Sequence, residues 1–132
     1  QAIFEGAGRC VGCHRVNGVG GGRLAPDLGE IGITRTPAAL QRTLLDPSSA
    51  LLPINRPIRA VTAEGTTIRG RRLNEDTYTV QLIDSEGGLR SLVKADLAEY
   101  EVSPTATMRP TTLSADEVAD VIGYLLSLRG LP

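Results

Sequence analysis

The chain has no tryptophan, a single histidine (His14), a single methionine (Met108), a single lysine (Lys94) and two cysteines (Cys10, Cys13) in 132 residues. Each shortage excludes something. One histidine and two cysteines do not make the four ligands of a structural zinc site unless carboxylates are borrowed. Two cysteines allow at most one disulfide, so a disulfide scaffold is ruled out. The formal net charge is −1, from 14 basic and 15 acidic residues, which gives no field to attract nucleic acid or an anionic membrane surface. No stretch approaches the roughly 18 consecutive apolar residues of a membrane span. Aromatics are only 3% (Phe4, Tyr78, Tyr100, Tyr124), while hydrophobic residues reach 41%. A core is therefore expected, within one domain spanning 1–132, but one short of large rings.

Against these absences stands Cys10-Val11-Gly12-Cys13-His14, a C-x-x-C-H pentapeptide, the attachment signature of a c-type haem. Two thiols three positions apart can add to the two vinyl groups of one porphyrin, and the adjacent imidazole then reaches the iron as an axial ligand. A bound porphyrin would also fill space that aromatics usually occupy. Two other readings of the thiols exist. Zinc would need added carboxylates, and dithiol exchange would want a strand leading into a helix that begins at the motif, where no strand pattern precedes it. A lone histidine is usually a satisfied core residue, but His14 directly follows the second cysteine. One ring nitrogen should ligate iron while the other donates a hydrogen bond. Met108 is either a core filler or a soft thioether ligand, and its place in a proline-bounded, polar loop before the last helix favours the ligand. Arg56, Arg59 and Arg109 are candidates to pair with haem propionates or are solvent-facing charges. Arg69, Arg71 and Arg72 read as a solvated surface. Haem of this type is attached outside the cytoplasm, so a periplasmic or otherwise extracytoplasmic location is expected, with a leader removed ahead of Gln1.

The periodicities organise the rest. A brief helix leads into the motif, weakened by Gly6 and Gly8. Asn17–Gly22 reads as a loop because four glycines in six residues cannot hold a helix. Thr36-Pro37 opens a helix, Leu40, Leu44 and Leu45 give its apolar stripe, and Asp46-Pro47 closes it. Strand patterns follow at Ile58–Ala63, Thr66–Leu73, Thr77–Asp84 and Leu89–Lys94, separated by turn residues. A helical turn near Lys94–Leu97 and a last strand at Glu99–Val102 come next. This makes 55–102 a β-rich insertion forming a four- or five-stranded antiparallel sheet, strongly twisted or partly closed. Ser114-Ala115-Asp116-Glu117 is a capping box. Val118, Val121, Ile122, Leu125 and Leu128 stripe the helix that follows, and Gly130 stops it.

Together, the C-x-x-C-H motif, the glycine-rich loop ending in Ala25-Pro26-Asp27-Leu28, the Met108 loop and the terminal helix with Gly123-Tyr124-Leu125 resemble a class I cytochrome c. More narrowly, Leu45-Asp46-Pro47-Ser48, the β-rich insertion, and Ser103 and Met108 before the last helix resemble the haem-binding domain at the C-terminus of large proteins of Planctomycetes, Verrucomicrobia and Acidobacteria. The resemblance implies a mainly α, class I cytochrome c fold. A small antiparallel sheet would be inserted between the middle helix and the Met-ligand loop, and the terminal helices would pack together. It implies Cys10 and Cys13 as thioether anchors to a covalent haem c, His14 and Met108 as axial iron ligands, and the Pro26 carbonyl as acceptor for the His14 ring. It implies electron transfer rather than enzymatic catalysis, with a dehydrogenase or another cytochrome as redox partner, on the same polypeptide or a separate one. Two departures stand out. The family's helix-crossing glycine would fall before Gln1, as if the chain were trimmed from something longer, and about fifty residues of sheet are not found in an ordinary small member. Two further readings follow. One is an open-site haem enzyme or a gas or peroxide sensor in which Met108 is not a ligand. The other makes the insertion a module that docks a dehydrogenase.

Overall fold

The computed structural model describes residues 1–131. The chain divides into two compact units, one from Gln1–Ala50 with the segment from Met108 onward, the other Leu51–Thr107.

In the first unit, helix α1 (Ala2–Glu5) is a single turn that ends at Gly6. Arg9, in the left-handed region at φ 52°, turns the chain into a 3-10 turn at Cys10–Gly12. Strands β1 (Arg15–Val16) and β2 (Val19–Gly20) form a two-stranded antiparallel ribbon. Its turn residues, Asn17 and Gly18, both have positive φ (52° and 81°), the primed geometry that Asn-Gly adopts at little cost. Helix α2 (Ile31–Thr34) is again one turn. Helix α3 (Pro37–Leu45) starts where Thr36 Oγ1 accepts from Ala39 N, with proline in the first turn. Helix α4 (Ala115–Ser127) is held by a complete capping box: Ser114 Oγ accepts from Glu117 N at 3.2 Å and Glu117 Oε1 from Ser114 N at 3.1 Å.

The apolar stripes of α3 and α4 meet in a core of Phe4, Leu40, Leu44, Val118, Val121 and Leu125. The Phe4 and Tyr124 rings lie 5.4 Å apart between α1 and α4, tilted by 58°. Gly32 lets α2 sit directly on α4, since a Cβ there would lie 2.3 Å from the Leu126 carbonyl oxygen. Gly32→Ala is expected to cost about 1–3 kcal/mol by forcing the two helices apart, measured by urea unfolding. A variant as stable as the parent would show that the contact yields freely.

The second unit is a five-stranded antiparallel sheet of β3 (Pro57–Thr62), β4 (Thr67–Glu75), β5 (Thr79–Asp84), β6 (Leu89–Val93) and β7 (Leu97–Val102), in the order β6-β5-β4-β3-β7. Alternate residues Ile58, Ala60, Ile68, Val80 and Leu82 build its core. The edge strands β6 and β7 are joined by only a 3-10 turn, Lys94–Asp96. Four flat strand spacings would part them by roughly 19 Å. A three-residue 3-10 link spans about 8 Å, so the sheet must curl toward closure. Bulges at Val61/Thr62 and Arg72/Asn74 supply the bend. At the β5–β6 turn the Asp84 carboxylate accepts from the amides of Glu86 and Gly88 and from Arg90 Nε at 2.9–3.0 Å.

These observations overturn the expected mainly α, class I cytochrome c fold. Among the described residues the protein is mixed, with seven strands in two antiparallel sheets, four α-helices, and about equal shares of helix (30%) and strand (28%). The physical reason is twofold: five of the seven strands, the long ones, lie in the sheet of the second unit, and the helical part is cut short by its glycines. The glycines end α1 after one turn, and the stretch that carries the C-x-x-C-H motif becomes turns and a β-ribbon instead of helix. No helix among the described residues is long and apolar enough to cross a membrane.

Candidate functional site

The site is built on the 3-10 turn at Cys10–Gly12. Cys13 N and His14 N both donate to the Cys10 carbonyl, at 3.1 and 2.9 Å. Cys10 opens the turn and Cys13 follows it directly, which keeps the two cysteines close along the backbone. Both are free; Cys10 is half-buried and Cys13 exposed. Cys10 Sγ donates to the Gly8 carbonyl at 3.4 Å. Burial pushes the Cys10 thiol above its ordinary value, with the neighbouring Cys13 adding to the rise, against a backbone hydrogen bond that lowers it.

The half-buried His14 ring lies with Nδ1 2.9 Å from the carbonyl oxygen of Pro26. A carbonyl only accepts, so Nδ1 carries the proton and the lone pair of the neutral ring sits on Nε2. The glycine-rich segment closes over the turn. Gly21 N donates to Val11 O at 2.9 Å, and a Cβ on Gly21 would lie 2.4 Å from the Cys13 carbonyl carbon. Only glycine fits flat against the Cys13–His14 peptide.

Met108 is half-buried and packs on the α3–α4 core, as do Cys10 and Val11. The loop after it is tied down where Thr111 N donates to the Leu44 carbonyl at 2.8 Å. The arginine candidates divide. Arg59, in the sheet unit, is held by Glu99 at 2.9 Å across β3 and β7, whereas Arg56 and Arg109 are exposed. Arg72 does not read as a solvated surface: its side chain is 14% exposed and bonded to Glu75.

The donors suit a group that brings its own equatorial ligands. Among the described residues no three His, Cys, Asp or Glu side chains gather into a metal-ion cage. One imidazole bonded through Nδ1, a thioether bordering the same apolar cluster as Cys10, and two free thiols are the donor types that an iron porphyrin would take, one or two as axial ligands and two as thioether anchors. One buried polar atom beside the site, Arg15 Nε, has no hydrogen-bond partner.

Asp27 escaped the sequence reading. Its carboxylate accepts from the amides of Asn17 (2.9 Å), Gly18 (2.6 Å) and Gly29 (2.8 Å). The Asn17-Gly18 dipeptide signals the turn that brings two of those amides together, but not their partner ten residues on. Comparison with protein-family models and with curated proteins finds no match for this chain.

Proposed function

We propose that the chain binds one c-type haem covalently through Cys10 and Cys13, with His14 and Met108 as axial ligands, and serves as an electron-transfer protein outside the cytoplasm. The observation that carries this is the His14 Nδ1–Pro26 carbonyl bond of 2.9 Å, in a histidine that directly follows a short turn bearing two free cysteines. That bond fixes the tautomer and aims Nε2, as metal-ligating histidines require. When bound, the haem supplies a one-electron couple. Cys10 and Cys13 would tether it, Pro26 would hold the His14 ring in orientation, and the Met108 thioether packs against the apolar core. Methionine opposite histidine raises the reduction potential. The partners proposed are redox proteins, a dehydrogenase or another cytochrome, engaged weakly and transiently as such encounters usually are.

Absorption spectra of the protein and of Met108→Ala test the reading. The parent should show sharp low-spin ferrous bands and the weak sulfur-to-iron band at the red end of the ferric spectrum. Met108→Ala should lose the sulfur band, become high-spin and bind carbon monoxide readily. If the parent is already high-spin and Met108→Ala leaves its spectrum unchanged, Met108 is not a ligand and the open-site reading replaces this one.

A further inference from the structure

We infer that Asp27 is a positioning residue for His14: its carboxylate locks the Pro26 carbonyl against His14 Nδ1 and so sets how strongly that ring is held as a donor. The inference rests on the haem reading above and assigns a task to a residue that touches neither the haem nor His14.

The acceptor oxygen belongs to the peptide that joins Pro26 to Asp27, so whatever fixes Asp27 fixes that oxygen. Asp27 Oδ1 takes the amides of Asn17 and Gly29, and Oδ2 takes that of Gly18. Two of these donors form the tip of the β1–β2 ribbon, which begins one residue after His14, and the third lies in Asp27's own loop. One side chain thus clamps the segment leaving the ligand to the segment carrying its acceptor. The clamp has a second jaw in the backbone, where Leu28 N donates to Arg15 O at 2.8 Å. Space confirms how tightly it closes: a Cβ on Gly29 would lie 2.1 Å from Asn17 Oδ1.

Asp27 is solvent-exposed, so burial does not explain three amides converging on it. A surface carboxylate needs none of them. The amide of Gly29 first, then those of Gly18 and Asn17 and the charge of Arg15, outweigh desolvation and hold its carboxyl below the ordinary range, so it stays ionised at neutral pH. Charge-assisted bonds of this kind are about twice as strong as neutral ones. A firmly held acceptor keeps the Nδ1–H···O hydrogen bond short and the ring electron-rich, which favours the ferric state. Releasing it should move the reduction potential upward.

The test uses the full chain, matured with haem, as parent, Asp27→Ala and Asp27→Asn. Asp27→Ala should keep covalent haem and the sulfur-to-iron band, which shows the Met108 side undisturbed. Its midpoint potential should rise, and its His14 Nδ1–H proton should exchange with water about tenfold faster, the factor set by losing roughly one net hydrogen bond. Asp27→Asn retains one acceptor oxygen and should fall between. An unchanged potential and exchange rate in Asp27→Ala overturns the inference. So does loss of the sulfur band in both variants, because the effect would then be general loosening. If the parent carries no covalent haem, the functional reading fails. The clamp is then judged by nitrogen chemical shifts of the His14 ring in the haem-free chain, which should report Nδ1–H in the parent and a tautomer mixture in Asp27→Ala. The same tautomer in both would overturn it.

Discussion

With alanine at both Cys10 and Cys13, the matured chain should retain no porphyrin after extraction with acidified acetone, while the parent should retain essentially all of it. Each single variant should keep its haem through the one remaining thioether. The argument is one of bond type. Axial ligation through His14 and Met108, as proposed, and apolar contact with the neighbouring core would be reversible, and acid would break the first by protonating the imidazole. A thioether survives both acid and denaturant. Mass spectrometry of the extracted chain, with the absorption of its pyridine complex, reads the result directly. A parent chain that emerges without porphyrin and with two titratable thiols would return the motif to dithiol chemistry. The site argues against that outcome. Exchange proceeds through a thiolate, and reactive cysteines lie in surroundings that depress their pKa. Burial moves the Cys10 thiol the other way. A thiol kept protonated and half-covered is a poor redox centre but an acceptable partner for addition to a vinyl group.

The parts of the fold legible in the sequence were those written in local chemistry. Thr36-Pro37 and Asp46-Pro47 bracket α3, and the Ser114–Glu117 box opens α4, because caps act within four residues. The five strands of the sheet follow the turn residues between them, and the partial closure is forced by the shortness of Lys94–Asp96. The class of the fold was not legible. The brief, glycine-weakened helix expected ahead of the motif is present as the single turn Ala2–Glu5, but a five-residue motif and a resemblance do not weigh helix against strand over the rest of the chain. Asn17–Gly22, read as loop from its glycine content, starts as the end of a ribbon, because Asn-Gly favours the primed turn over disorder. At the site, the His14–Pro26 pairing came from resemblance alone, and the Asp27 clamp was invisible because it depends on where a hairpin delivers two amides. The charged cluster in the sheet was hidden for a similar reason, since Lys94 and Tyr100 reach the nearby Arg72–Glu75 pair only through the fold of the sheet.

That cluster gives the largest expected change in stability. Glu75, at the end of β4, accepts from Arg72 Nη1 at 3.1 Å, from Lys94 Nζ at 3.0 Å, and from the Tyr100 hydroxyl. Lys94 also lies 5.5 Å over the Tyr100 ring and donates to the Asp76 carbonyl. The Glu75, Arg72 and Lys94 side chains are only 14–25% exposed, so the pairs are poorly screened. Glu75→Gln keeps an acceptor oxygen but takes the paired carboxylate from two half-buried cations, leaving Lys94 only the Asp76 charge nearby. It should lower the unfolding free energy at neutral pH by about 2–3 kcal/mol, read from hydrogen exchange at the core amides of Val80 and Leu82. The pH dependence separates this from lost packing. Burial pulls the Glu75 carboxyl up, but the donors Tyr100, Lys94 and Arg72 more than offset it and leave it below the ordinary value. Its contribution is therefore complete above the ordinary carboxylate range and is lost as pH falls through the lowered value. The gap between parent and Glu75→Gln should narrow over that acid window. At the other end, burial and then Glu75 push the Tyr100 hydroxyl from 10.0 up to about 12. That contribution is complete below 10.0 and disappears as pH rises toward about 12, and without the Glu75 charge the alkaline window should narrow. A variant within about 0.5 kcal/mol of the parent, with parallel pH profiles, would mean that water already screens these charges as it does on an ordinary surface.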